Sequence, residues 1–202
     1  MRFSIILPSL LADFPGAATG RDRKLIRAID SVMNQSFYDF ELIIIADGCT
    51  FTRHLVSTRF SDERLKLLYV ERKNLWSNNA RNAGIEAAKG KYITYLDNDD
   101  WIGPDHLKII NEQLTDEDWI YSNDWIRDIK SSQWFERPCD VSQYGRCGTS
   151  NICHKSSLAL RWNETGYGHD FAFIQQLNQS QNNKHIATAQ YYVCHVGKLY
   201  CI

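Results

Sequence analysis

The sequence predicts an α/β protein built on an open, mostly parallel sheet with helices on both faces. Four short apolar runs, FSIILP (3–8), ELIIIAD (41–47), LKLLYV (65–70) and KYITYLD (91–97), are continuous rather than alternating, the pattern of strands covered on both sides. Stretches whose apolar residues recur at helical spacing lie between them. The repeated order of strand, helix and strand is that of a doubly wound sheet.

The opening MRFSIILPSLLADF carries one basic residue and an apolar stretch, but Pro8 interrupts it and no clear small-residue cleavage site follows, so it reads as a strand rather than a secretion signal. In RKLIRAIDSVMNQ (23–35), Leu25, Ile29, Val32 and Met33 form an apolar face opposite Arg27, Asp30 and Asn34, as in a crossover helix. SNNARNAGIEAAKG (77–90) opens on Ser77 as an N-cap, closes on Gly90 as a C-terminal glycine and is rich in Ala. A third helix is expected from Pro104, burying Leu107, Ile110 and Leu114. Beyond residue 117 the pattern weakens: WIYSNDWI (119–126) reads as one strand, SSQWFERPCD as a hairpin or loop, GHDFAFIQQLNQ (168–179) as an amphipathic helix and QYYVCHV (190–196) as a late strand.

The 202 residues suit one domain, and 44% apolar with 12% aromatic residues is enough for a substantial core, which excludes a disordered chain. The balance of 23 Lys and Arg against 24 Asp and Glu supplies no broad positive field, which disfavours a nucleic-acid partner. Six cysteines without a Cys-x-x-Cys pair read as reduced thiols, and the grouping of Cys147, Cys153 and His154 matches no standard zinc spacing. No run approaches the ~20 apolar residues that cross a bilayer. The expectation is a cytoplasmic protein, at most peripheral at a membrane, with self-association left open.

YITYLDNDDW (92–101) poses the chemical question: an apolar strand ends in three carboxylates within four positions, which repel one another unless something relieves them. In open α/β sheets ligands sit outside the carboxyl ends of the strands, so Asp47 and the cluster of Asp97, Asn98, Asp99 and Asp100 should meet in one crevice. A hard divalent cation, Mn²⁺ or Mg²⁺, would accept these oxygens and leave positions for phosphate. The bland reading is a solvated acidic turn ahead of the helix at Pro104.

The order SIILPS, AIDSVMNQSFYDFELIIIADGCT and ARNAGIEAAKGKYITYLDNDDW resembles the N-terminal half of GT-A glycosyltransferases of family 2, over about residues 3–105. The resemblance implies one GT-A domain, with about 1–105 as the nucleotide-sugar half and about 106–202 as the acceptor half. It implies a metal-dependent inverting transfer of sugar from a nucleotide-diphosphate donor, a UDP sugar first, to a saccharide, lipid-linked or other hydroxyl acceptor. By position it implies Asp97 and Asp99 for metal and nucleotide, Asp47 for the base, and Arg81, Asn98, Pro8 and Ser9 along the same pocket. Three positions depart from the family pattern: Ala46 replaces a second acid, Trp76 replaces a common Gly, and the loop LLADFPGAATGRD is long.

Such a reaction also wants a general base for the acceptor hydroxyl. GYGHDFAF resembles the place where the family carries an acidic pair at a helix start, which implies Asp170 as the base and puts His169 where the first acid stands; the alternative is a first-turn Asp satisfying helix amides. His195 is implied as a further metal ligand, against the ordinary packed histidine. Trp134 and Trp162 are the aromatic candidates for the acceptor side, against core packing. Two other functions fit the acids: an aspartyl-phosphate phosphatase, disfavoured by Trp101 where Thr or Val is wanted, and a catalytically silent nucleotide-sugar binder.

Overall fold

The structure, a computed structural model, describes residues 1–12, 20–73, 76–128, 131–163, 166, 168–187 and 190–194. β1 (Phe3–Ser9), β2 (Phe40–Asp47), β3 (Leu65–Val70) and β4 (Tyr92–Tyr95) fall on the four apolar runs. With β6 (Trp119–Ser122), β9 (Ile152–Lys155) and β10 (Asn183–Ile186) they form a seven-stranded sheet of order β10-β6-β9-β4-β1-β2-β3. β9 runs antiparallel to both β4 and β6, and the other pairings are parallel. A four-stranded sheet of order β5-β11-β7-β8 is built from β5 (Trp101–Ile102), β7 (Asp124–Arg127), β8 (Trp134–Arg137) and β11 (Tyr191–Val193).

Helices cover both faces of the large sheet, as its continuous apolar strands require. On one face α1 (Arg21–Met33), α2 (Thr50–Arg59) and α4 (His106–Gln113) bring Leu25, Ile29, Val56, Leu107 and Ile110 onto Ile5, Leu7, Leu42 and Ile44. On the other, α3 (Asn78–Ala87) and α5 (His169–Leu177) bring Ala80, Ile85, Phe173 and Leu177 onto Ile6, Ile43, Ile45 and Tyr95. Gly84 sets how closely α3 approaches: a Cβ there would lie 2.6 Å from Cγ2 of Ile6. That close seat carries Arg81, one turn earlier, to the strand ends.

Several expectations are corrected. WIYSNDWI is two strands in two sheets, broken at the buried Asn123, whose Oδ1 accepts the Cys139 N–H and whose Nδ2 donates to Ala187 O. α2 was not foreseen because it buries only Thr52 and Val56, too little for an apolar stripe. Ser77 stands at the N-cap of α3 but gives no side-chain cap; its Oγ goes to Asp47 instead. Gly90 lies beyond the end of α3, and its role is contact: a Cβ there would sit 2.5 Å from the Ser4 amide.

Candidate active site

The C-terminal ends of β1, β2 and β4 open into a cleft of about 600 Å³ lined by Pro8, Leu10, Arg21, Arg72, Trp76, Ser77, Arg81, Asp97, Asn98 and Asp99. Of the expected residues, Pro8, Arg81, Asp97, Asn98 and Asp99 therefore meet at one place. Ser9 supports the wall from behind: its buried Oγ accepts from Nδ2 of Asn98 at 3.1 Å. Asp47, 2% exposed, also lies behind the wall and reaches it through Ser77, whose Oγ donates to Oδ2 at 3.3 Å. Burial raises the Asp47 carboxyl above its usual range, against the Ser77 hydrogen bond and the charges of Arg72 and Arg81. Ser77 holds φ at 58°, a left-handed conformation uncommon for a residue with a side chain.

Each of the three acids is placed differently. Asp97 accepts from Nη2 of Arg81 on Oδ1 (3.1 Å) and from Thr149 Oγ1 on Oδ2 (3.2 Å). Arg81 is held in turn by Nη1 donating to Trp76 O (2.9 Å) and by stacking over the Trp162 ring, 4.9 Å to the centroid. Asp100 turns away from the cleft: it is 1% exposed and accepts the Cys194 N–H at 2.6 Å. Burial, reinforced by Asp99 and then Asp97, pushes its carboxyl well above the usual range. Asp99 keeps its side chain on the cleft, while its backbone carbonyl accepts from Nη2 of Arg27 at 2.7 Å. The Asp97 amide donates to the Tyr191 hydroxyl at 3.0 Å, which ties the acid turn to the small sheet.

Replacing Arg81 with Leu would leave Asp97 without its cation and Trp76 O without its donor. We expect a loss of about 2 kcal/mol in urea unfolding, below the ~3–5 kcal/mol of a fully buried pair because Asp97 is part-exposed. An unchanged unfolding midpoint would show that the pair does not organise the turn.

A second cavity of about 150 Å³ shares Asp97 with the cleft and is lined also by Asp100, Arg137, Tyr144, Thr149, Ser150, Asp170 and Phe171. Arg137 is anchored there by Asp124, which is fully buried and accepts from Nε at 2.8 Å and from Nη2. Ser150 Oγ donates to the same carboxylate at 2.8 Å. Asp170, in the first turn of α5, places Oδ1 3.1 Å from Nε2 of His169, and Oδ2 faces Gly148, where an added Cβ would lie 3.4 Å away.

The two aromatic candidates lie off the walls of both cavities. Trp162 is 3% exposed, with Phe173 stacked at 4.0 Å on its ring and Arg81 over it, so no ring face is open to a sugar. Trp134 lines neither cavity and packs edge-on against Trp101 and Tyr192 in the small sheet. His195 lies outside the described residues. Among the described residues, no group of three His, Cys, Asp or Glu side chains is placed to hold a metal, and Cys153 and His154 are successive residues of β9, on opposite faces. Thr149, Tyr191 and Arg137 were missed; they arrive from distant segments and carry no local motif.

A seven-stranded sheet with one antiparallel strand, and an acidic turn at the end of β4 facing a cleft, define an α/β protein of the GT-A fold. The chain belongs to glycosyl transferase family 2, whose family model matches residues 18–182. It is 29% identical over 92 residues to the glycosyltransferase GlyA of Streptococcus pneumoniae, which covers 46% of this chain and 13% of that protein. It is 33% identical over 100 residues to the succinoglycan biosynthesis protein ExoO of Rhizobium meliloti, 50% of this chain and 28% of that one. The chain thus spans a minor part of these relatives. The fold is shared with Staphylococcus aureus TarS residues 1–349 in complex with UDP, with a TM-score of 0.76 at 16% identity over 96% of this chain and 60% of that one. A TarS complex with UDP-GlcNAc superposes with a TM-score of 0.73 at 17% identity, covering 96% and 58%. Among the described residues no helix is long and apolar enough to cross a membrane.

Proposed function

We propose that the chain transfers a sugar from a nucleotide-diphosphate donor, with a UDP sugar as first choice, to a hydroxyl acceptor with inversion at the anomeric carbon. The observation that carries this reading is the pair of cavities meeting at Asp97: one with Arg21, Arg72, Arg81 and Asp99 on its wall, the other with Asp170. A volume of about 600 Å³ is within the ~300–1,000 Å³ of small-molecule sites. UDP and UDP-GlcNAc in the TarS complexes support the donor class.

The guanidinium groups on the cleft favour the diphosphate end of the donor and the negative charge it gains as the glycosidic bond breaks. Asp97 and Asp99 would hold Mn²⁺ or Mg²⁺. Two part-exposed carboxylates fit such an ion, since Mg²⁺ is commonly bound through one or two carboxylates with substrate phosphates, and Asp97 retains lone pairs beyond those used by Arg81 and Thr149. When bound, the ion supplies Lewis-acid stabilisation of the leaving diphosphate. Asp170, across the shared wall, accepts the acceptor's proton as its oxygen attacks from the opposite side. Reading residues from about 106 onward as the acceptor half agrees with the position of Asp170.

A thermal-shift panel of UDP, GDP and CDP sugars with Mn²⁺ tests the donor site. At a ligand concentration one hundred times Kd, the stabilisation is about 2.7 kcal/mol. Asp99→Ala should remove it; no shift with any nucleotide would place the site elsewhere.

A further inference from the structure

The sequence departs from its family at the base: a histidine precedes Asp170. Nδ1 of His169 donates to Gly166 O at 2.6 Å, and Nε2 faces Oδ1 of Asp170 at 3.1 Å. The ring is fixed on two sides, 5.6 Å from Trp76 on the donor cleft and 5.9 Å from the buried Trp162. The imidazole therefore has one orientation, set by a carbonyl on one nitrogen, and it can offer Asp170 a donor only from the other. Nε2 and Oδ1 stand at ion-pair distance, and Oδ2 faces the cavity beside Gly148.

We propose that His169 is a positioning residue that clamps Asp170 by the ion pair between Nε2 and Oδ1 and so presents Oδ2 to the acceptor hydroxyl. The inference rests on Asp170 being the general base. Among the described residues, Asp170 within α5 and Arg81 from α3 are the charged groups that act on the imidazole. Burial alone would lower the basicity of His169; the hydrogen bond and charge of Asp170 outweigh it, and the net shift is upward despite Arg81. The imidazole supplies the ordering that the acidic residue preceding the base cannot give by charge attraction.

The test combines an NMR titration of His169 with turnover, both on the whole chain. In Asp170→Asn the His169 midpoint should fall by at least half a pH unit, because burial then acts without its counter-charge. An unmoved midpoint overturns the clamp. For turnover, UDP release from UDP-GlcNAc is followed with water as acceptor. His169→Phe, which keeps the ring packing, should lower kcat roughly tenfold, a part of the ~10²–10⁴ attributed to a general base, with donor KM within about twofold. Its acid limb should move to higher pH, since Asp170 loses a cation that favours its ionised form. His169→Gln, which restores a donor, should recover most of kcat. Wild-type kcat and acid limb in His169→Phe would also overturn the clamp. If Asp170→Asn shifts the His169 midpoint but keeps full turnover, the clamp exists and the assignment of the base is what fails.

Discussion

Asp170→Asn should lower UDP release from a UDP sugar by about 10²–10⁴-fold, the range removed with a general base, while nucleotide affinity should stay within about twofold. The split follows from the geometry. Asp170 lines the smaller cavity and is absent from the wall of the larger one, so on the proposed reading its charge would act on the incoming hydroxyl rather than on the donor. The amide keeps the shape and a hydrogen-bonding oxygen but cannot take a proton. A variant with wild-type turnover would return Asp170 to the ordinary part of a first-turn aspartate; one that lost nucleotide binding as well would show that the two cavities are a single site.

Acid should destabilise the fold steeply between pH 7.5 and pH 5. His106 and His154 are buried, and desolvation lowers each to about 4. His154 is satisfied as the neutral ring, its Nδ1–H donating to Lys155 O at 3.0 Å and its Nε2 accepting from the Tyr95 hydroxyl at 2.9 Å. For a histidine whose folded value lies below its unfolded one, near ~6.5, the unfolded chain binds more protons in that window. Stability is full above pH ~6.5 and falls as pH drops toward the folded value, by about 2 kcal/mol per histidine at pH 5. His169, shifted upward, acts in the opposite sense: its contribution is present below pH ~6.5 and is lost as pH rises through its folded value. Urea midpoints at the two pH values check the net slope. His106→Leu should remove about half of the acid loss, and a flat wild-type profile would contradict the account.

The sheet and the donor side were legible because their signals are local. Continuous apolar runs marked β1 to β4 to within a residue or two, and a strand ending in LDNDD placed Asp97 and Asp99 at the mouth of a crevice without any knowledge of partners. The smaller cavity was not legible for the converse reason. Thr149 reaches Asp97 from 52 positions away and Tyr191 from 94, and such distances leave no periodicity to read. β9 was missed because NICHKSS holds no alternating or continuous apolar pattern, although it supplies the antiparallel strand between β4 and β6. Trp162 shows another limit: a sequence identifies an aromatic ring but not whether its faces are covered, and here Phe173 and Arg81 cover them. Asp100 looked like a third member of the acidic cluster; only its contact with the Cys194 amide reveals it as an internal latch.

Crystals soaked with UDP and Mn²⁺ probe the donor cleft directly. The predicted map has diphosphate density among Arg72, Arg81 and Asp99, with an anomalous manganese peak at the Asp99 carboxylate. Nucleotide bound away from that wall, or an empty cleft at millimolar UDP, would contradict the reading of this chain as a sugar-nucleotide enzyme.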